Sequence, residues 1–366
     1  MKSLLAAAAA DGTRQVAYYH KGVGTSFGTY GRGGMFGYGL NDEIIRAYEW
    51  LIDNYNLVDE LFIFGFSRGA YTARSLSGFI GKCGLISIGA PLSVKELYDR
   101  YRRGGAAATI SELLVQQKEG KKDFGIEERW MLKYSQIINV DFLGVWDTVG
   151  ALGLPFGNLP ILGKADMQFL NTGLRVSNKF AFHALAVDEH RKAFAPTLWT
   201  VDYARGAPSP HHHRPLSQVE QRWFVGAHAN VGGGCQKNVL PQLPLRWIMD
   251  KAARGGLTFR RDLDLDKPDK PPLISDSYSE FIGGVYKVLT LGQRYYRPIG
   301  PDPAPSSATE LRANVNETID ASVFERWQTD DSYRPPNLAE WAKRRSIDLG
   351  KVKTSLRADS AETATI

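Results

Sequence analysis

The sequence predicts an α/β fold in which a mostly parallel sheet carries helices on both faces, with helical insertions. Three observations predict it. Short apolar runs alternate along the chain with segments whose apolar residues recur at helical spacing. One run, Ile137 to Trp146, is apolar almost throughout, as strands covered on both faces are. Single polar residues stand directly after several of these runs, where open α/β sheets gather their loops. With 366 residues, 43% of them hydrophobic, the chain has enough apolar surface for a sizeable core.

Met1 to Ala10 superficially resembles a signal peptide, but its apolar stretch is short and weak before Asp11-Gly12, and it reads as a helix start. Gln15 to Tyr19 reads as a short strand. The glycine-rich stretch from Gly22 to Gly39 reads as a loop, because neither a helix nor a central strand tolerates that density. Asn41 then caps a helix, Asp42 to Asn54, on which Ile44, Ile45, Tyr48, Leu51 and Ile52 share a face. Glu60 to Phe64 is a strand, and Ala70 to about Ile80 is a helix whose Ala73, Leu76, Phe79 and Ile80 suit close packing on a sheet.

Residues 93–136 read as a polar helical insertion on the surface. After the strand ending at Trp146, a helix around Met167 to Asn178 leads to apolar Phe180 to Val187, and Arg222 to Ala227 makes a further buried strand. Arg260 to Pro272 and Pro298 to Pro305 read as loops. The expected organisation is one catalytic domain over 1–350 and a disordered polar tail over 351–366.

The net charge of +6 is scattered, without the basic block or basic-aromatic helix of a nucleic-acid binder, so no nucleic-acid partner is expected. No stretch approaches a membrane-spanning helix, which leaves peripheral membrane contact. Cys83 and Cys235 have neither metal spacing nor a disulfide framework, which fits a reducing, cytoplasmic setting or secretion by a route without a signal peptide. His211-His212-His213 lies between prolines with no His-x-x-x-His helix, so no metal and no cofactor is expected.

The chemistry converges on Gly65-Phe66-Ser67-Arg68-Gly69, which sits where a strand turns into a helix. With 22 Ser and 37 Gly in the chain, roughly 0.2 such pentapeptides arise by chance, so the motif needs context. Context comes from order. Ser67, Asp147 and His228 each follow an apolar run, in the Ser, acid, His order of α/β hydrolases. Serine needs histidine to remove its proton, and the carboxylate orients the imidazole and stabilises its charged form. The backbone N–H of Arg68 is one oxyanion donor, and Gly22-Val23-Gly24-Thr25 is the candidate for another, with Gly24 and Thr25 as its oxyanion or substrate-binding residues; a plain surface turn is the alternative. Asp147 is otherwise a turn former, and His228 otherwise a loop histidine held by backbone. Asp188 is the rival acid, although its neighbours Glu189, His190 and Arg191 suggest a charged network instead; His183 reads as a packed core histidine; and Arg68 and Arg74 flank the elbow as candidates to meet a phosphate, with pairing to a carboxylate the alternative for Arg74.

At these residues the sequence resembles the α/β-hydrolase catalytic domain of type VI secretion phospholipase effectors and related uncharacterised bacterial and fungal proteins. Carrying the resemblance are Tyr18-Tyr19 with Gly22-Val23-Gly24-Thr25, the stretch Gly65 to Arg74, Gly144 to Gly150, His183 to Glu189, Trp223 to His228 with Val231-Gly232-Gly233-Gly234, Ala321 to Arg326 and Tyr333 to Leu338. It implies carboxylic-ester hydrolysis, most plausibly of a phospholipid, with Ser67, Asp147 and His228 at the matching positions. Two features depart from the pattern. The family's first strand, running into an Asp-Gly-Thr turn, is expected to be absent here, and Asn230 stands where an aspartate is common. Either departure points to an alternative: a hydrolase-fold module that binds a lipid or partner with impaired catalysis.

Overall fold

In a computed structural model, residues 1–21, 36–149, 178–207, 214–233, 239–266, 270–280, 284–360 and 362–364 are described. Near the amino terminus only Lys2–Leu4 forms a 3-10 turn. Gln15 to Tyr19 is not a strand: it runs outside any sheet with Val16 and Tyr19 exposed. Helix α1, Phe36–Asn54, begins ahead of the expected cap, and Asn41 instead accepts a hydrogen bond from the Tyr98 hydroxyl at 2.8 Å. Strand β1, Phe62–Phe66, passes through Ser67 into α2, Arg68–Cys83.

The short antiparallel pair of β2, Leu85–Ile86, and β3, Ser135–Gln136, brackets helices α3, Val94–Arg102, α4, Ile110–Lys118, and α5, Ile126–Tyr134. Reciprocal capping boxes, Ser93 with Glu96 and Thr109 with Glu112, set the starts of α3 and α4. This insertion is helical as expected but does not merely lie on the surface. Leu97, Tyr98, Tyr101, Leu113 and Met131 are buried in one cluster with residues of α1 and α2.

Next come β4, Val140–Trp146, β5, Asn178–Ala186, β6, Thr200–Ala204, and β7, Val219–Phe224. Helices α6, His228–Gly232, α7, Gln242–Arg254, α8, Ser277–Glu280, and α9, Val285–Leu289, follow. The chain then runs through β8, Ala304–Pro305, β9, Glu310–Asn314, β10, Glu317–Ile319, α10, Ala321–Thr329, α11, Pro336–Arg345, and β11, Leu356–Arg357. The helix expected around Met167 lies largely outside the described residues, as do Cys235 and the histidine run at 211–213.

Among the described residues the central sheet has the order β1-β4-β5-β7-β10-β11, parallel except for β11. Its two faces separate cleanly. On β4, Leu143 and Val145 pack with α1 and α2, while Phe142 and Trp146 pack with Trp247 and Ile248 of α7. A third cluster joins Trp223 and Ile319 to Phe324 of α10 and Trp341 of α11. Strand β11 corrects the disordered-tail expectation: Leu356 pairs with Ile319 and is buried. A second, antiparallel sheet of β6, β9 and β8 was not anticipated.

Candidate active site

Ser67 stands at the carboxyl end of β1 with φ 58° and ψ −120°, left-handed geometry that L-residues avoid at a cost of order 1–3 kcal/mol. The neighbouring glycine makes it feasible. A Cβ on Gly65 would lie 2.2 Å from the Gly69 carbonyl oxygen, so the strand and the incoming helix touch backbone to backbone. Gly69 is different: no described atom lies within 4 Å of a Cβ there. Ser67 N–H donates to Trp146 O at 3.0 Å, tying the elbow to the end of β4.

Asp147 follows β4 and also has positive φ, 41°, which turns its fully buried carboxylate back over the sheet. Its Oδ1 accepts from Ala186 N–H at 3.1 Å. His228 begins α6, after Gly226, whose φ of 117° and missing Cβ, which would fall 2.5 Å from Asn230 Cβ, allow the tight exit from β7. The three side chains meet. His228 Nδ1 lies 2.5 Å from Asp147 Oδ2, and His228 Nε2 lies 2.8 Å from Ser67 Oγ. A carboxylate only accepts, so Nδ1 carries the proton and Nε2 is left to accept from the serine hydroxyl. The rings of Phe66 and Phe194 hold the imidazole, at centroid distances of 4.7 and 5.0 Å.

Burial disfavours charge on Asp147, but the Arg297 guanidinium and the His228 hydrogen bond outweigh it and hold the carboxyl well below the usual range. Arg297 was not singled out in the sequence. It is completely buried and forks onto Asp147, Nη1 to Oδ1 at 2.6 Å and Nη2 to Oδ2 at 3.0 Å. An arginine just before a proline-rich stretch carries no local signal of such a role.

Asp188 does not join the relay. Its Oδ2 accepts from Gly226 N–H at 2.7 Å and from the Tyr333 hydroxyl at 3.2 Å, and burial pushes its carboxyl up to about 6. Next to it, Glu189 accepts from His228 N–H at 3.3 Å, from Ser277 and from Arg191, whose charge overrides the effect of burial and brings the carboxyl to about 2. The pair therefore holds the backbone of the histidine turn on both sides. Asn230 caps the same turn: Oδ1 accepts from Ala227 and Ser275 N–H, and Nδ2 donates to Ser275 Oγ.

His183 is the core histidine expected. Thr148 N–H donates to its Nε2, so Nδ1 donates to Gln221 Oε1, and burial, reinforced by the charge of Arg74, lowers the ring to about 3. Arg74 is engaged with Thr197 O and the Trp199 ring. Arg68 opens α2, where its N–H has no acceptor within the helix, and its half-buried guanidinium has no ion-pair partner among the described residues. Gly24 and Thr25 lie outside the described residues. Among those described, no cluster fit for a metal ion occurs and no helix is long and apolar enough to cross a membrane.

Comparison with known proteins adds the family. The profile described as "T6SS, Phospholipase effector Tle1-like, catalytic domain" matches residues 1–251. An uncharacterised protein of Saccharomyces cerevisiae, YEL023C, is 25% identical over 208 residues, which cover 52% of this chain and 28% of the yeast protein. A solved structure of the Tle1 effector bound to the VgrG spike of the type 6 secretion system aligns at 18% identity and a TM-score of 0.25, covering 56% of this chain and 31% of that one. The chain thus spans less than a third of the length of either.

Proposed function

The chain belongs to the T6SS phospholipase effector Tle1-like catalytic-domain family, and on that footing we propose that it hydrolyses carboxylic esters of phospholipids through Ser67, His228 and Asp147. The observation that carries this reading is the continuous relay of 2.8 and 2.5 Å from Ser67 Oγ through His228 to Asp147.

His228 Nε2 takes the serine proton as Oγ attacks the ester carbonyl, and Asp147 keeps the ring in the reactive tautomer and stabilises the imidazolium. Negative charge gathers on the former carbonyl oxygen. The Arg68 N–H, which has no acceptor within α2, is the proposed first donor to it, with the Gly24–Thr25 backbone as candidate for the second. His228 returns the proton to the departing alcohol, leaving an acyl-enzyme on Ser67. Water, deprotonated by the same imidazole, then releases the fatty acid. The Arg68 guanidinium, one residue from the nucleophile, suits the phosphate of the substrate better than Arg74, which is engaged in the interior. Contact with the membrane that holds the substrate would be peripheral.

Turnover of a short-chain ester panel and of phospholipid vesicles, wild type against Ser67→Ala, tests the proposal. Loss of both activities in the variant is expected. Ester turnover without vesicle turnover would leave an esterase and remove the phospholipid from the account.

A further inference from the structure

We infer that Arg297 is the positioning residue of the catalytic carboxylate, so that the chain beyond the matched residues 1–251 completes a site whose three reacting side chains lie within them. The inference rests on the triad reading above. Asp147 has four donors: Ala186 N–H and Arg297 Nη1 on Oδ1, His228 Nδ1 and Arg297 Nη2 on Oδ2. Without Arg297, only the Ala186 N–H at 3.1 Å would remain, besides His228 itself, to hold the carboxylate against rotation away from the imidazole.

Arg297 is itself anchored on both sides. It donates to Ala186 O at 2.9 Å and Phe194 O at 2.6 Å, and its carbonyl accepts from Asn337 Nδ2 at 3.2 Å, which also donates to Val187 O. In the same region Ser275 N–H donates to Asn230, the Ser277 hydroxyl to Glu189 and the Tyr333 hydroxyl to Asp188. Each of them ends on the histidine turn or on the residues that hold it. With Arg297, four side chains beyond residue 251 thus reach the site or the residues that hold it.

A charge consequence follows. The described groups facing Asp147 are His228 after β7, Arg297 and, on β5, His183, which burial keeps neutral. The bidentate guanidinium neutralises the carboxylate, so the imidazolium formed during attack has a weaker electrostatic partner than a bare aspartate would give. Arg297 therefore trades charge stabilisation of His228 for fixed geometry.

Ester turnover of Arg297→Gln and Arg297→Lys in the 366-residue chain, with thermal melts, tests this. In Arg297→Gln kcat is expected to fall about 100-fold with KM little changed, because a carboxylate misplaced by an ångström misorients the base. Millimolar guanidinium restores at least a tenfold part of the loss, and Arg297→Lys, which keeps the charge without the fork, falls between. Unchanged kcat in folded Arg297→Gln overturns the inference, as does a loss that guanidinium does not rescue and that tracks the folded fraction in both variants. A readout independent of turnover separates this from failure of the hydrolase reading: the low-field proton resonance of His228 Nδ1 moves in Arg297→Lys, and a resonance that stays in place in the variant sinks the role of Arg297 whatever the wild type hydrolyses.

Discussion

Asp188→Asn separates the two acids that the sequence left in competition. If Asp188 were the triad carboxylate, removing its charge would cost roughly 10⁴ in kcat, as loss of the correct tautomer does. The structure puts it elsewhere, accepting from Gly226 N–H and the Tyr333 hydroxyl through one oxygen, a task an asparagine carbonyl also performs. Burial raises its folded value to about 6 from an ordinary 3.8. Its favourable contribution is thus complete below 3.8 and is lost as pH rises through about 6. Some two units at about 1.4 kcal/mol each amount to on the order of 3 kcal/mol of penalty at neutral pH, an upper bound on what Asp188→Asn recovers. The variant is expected to keep kcat/KM within about threefold, to melt at or above the wild type at pH 7.5, and to show a smaller advantage at pH 5, midway between 3.8 and about 6. Chemical denaturation at both pH values with parallel ester kinetics measures this; a folded Asp188→Asn enzyme a thousandfold slower would refute the assignment of Asp147.

Three further perturbations test particular contacts. Asp147→Asn should lower kcat by about 10⁴ and also destabilise the fold by about 3–5 kcal/mol, because it strands the buried Arg297 charge; kinetics and denaturation together read both. Gly65→Ala should prevent the elbow from closing, since its Cβ would sit 2.2 Å from a carbonyl oxygen, and a melt within a degree of wild type would contradict the close approach. Arg68→Gln should lower the ratio of phospholipid to simple-ester turnover at least tenfold, while an unchanged ratio would remove the guanidinium from substrate recognition.

Much of the candidate site was legible because the residues proposed to react lie at strand ends. An apolar run followed by one polar residue is a local pattern, and β1 with Ser67, β4 with Asp147 and β7 with His228 each display it. Register and neighbour choice then follow from parallel pairing. What holds those residues was not legible. Arg297, Ser275, Ser277 and Tyr333 reach the site through tertiary contacts that leave no periodicity in their own segments. Local reading failed where no partner enforces a pattern: Gln15 to Tyr19 has strand-forming residues but no neighbouring strand, whereas the polar tail gains a short one because Leu356 finds the open edge of β10. Asn230, conspicuous as a missing charge, does capping work that an amide performs by both donating and accepting.

The central claim is that Ser67 is a nucleophile activated by His228. Reaction of the purified protein with a fluorophosphonate probe, followed by peptide mass spectrometry, tests it most directly. Covalent modification of Ser67 in the wild type, abolished in Ser67→Ala and strongly slowed in folded His228→Ala, is the predicted result. Full labelling of Ser67→Ala, or a folded wild type that takes up no probe, would contradict it.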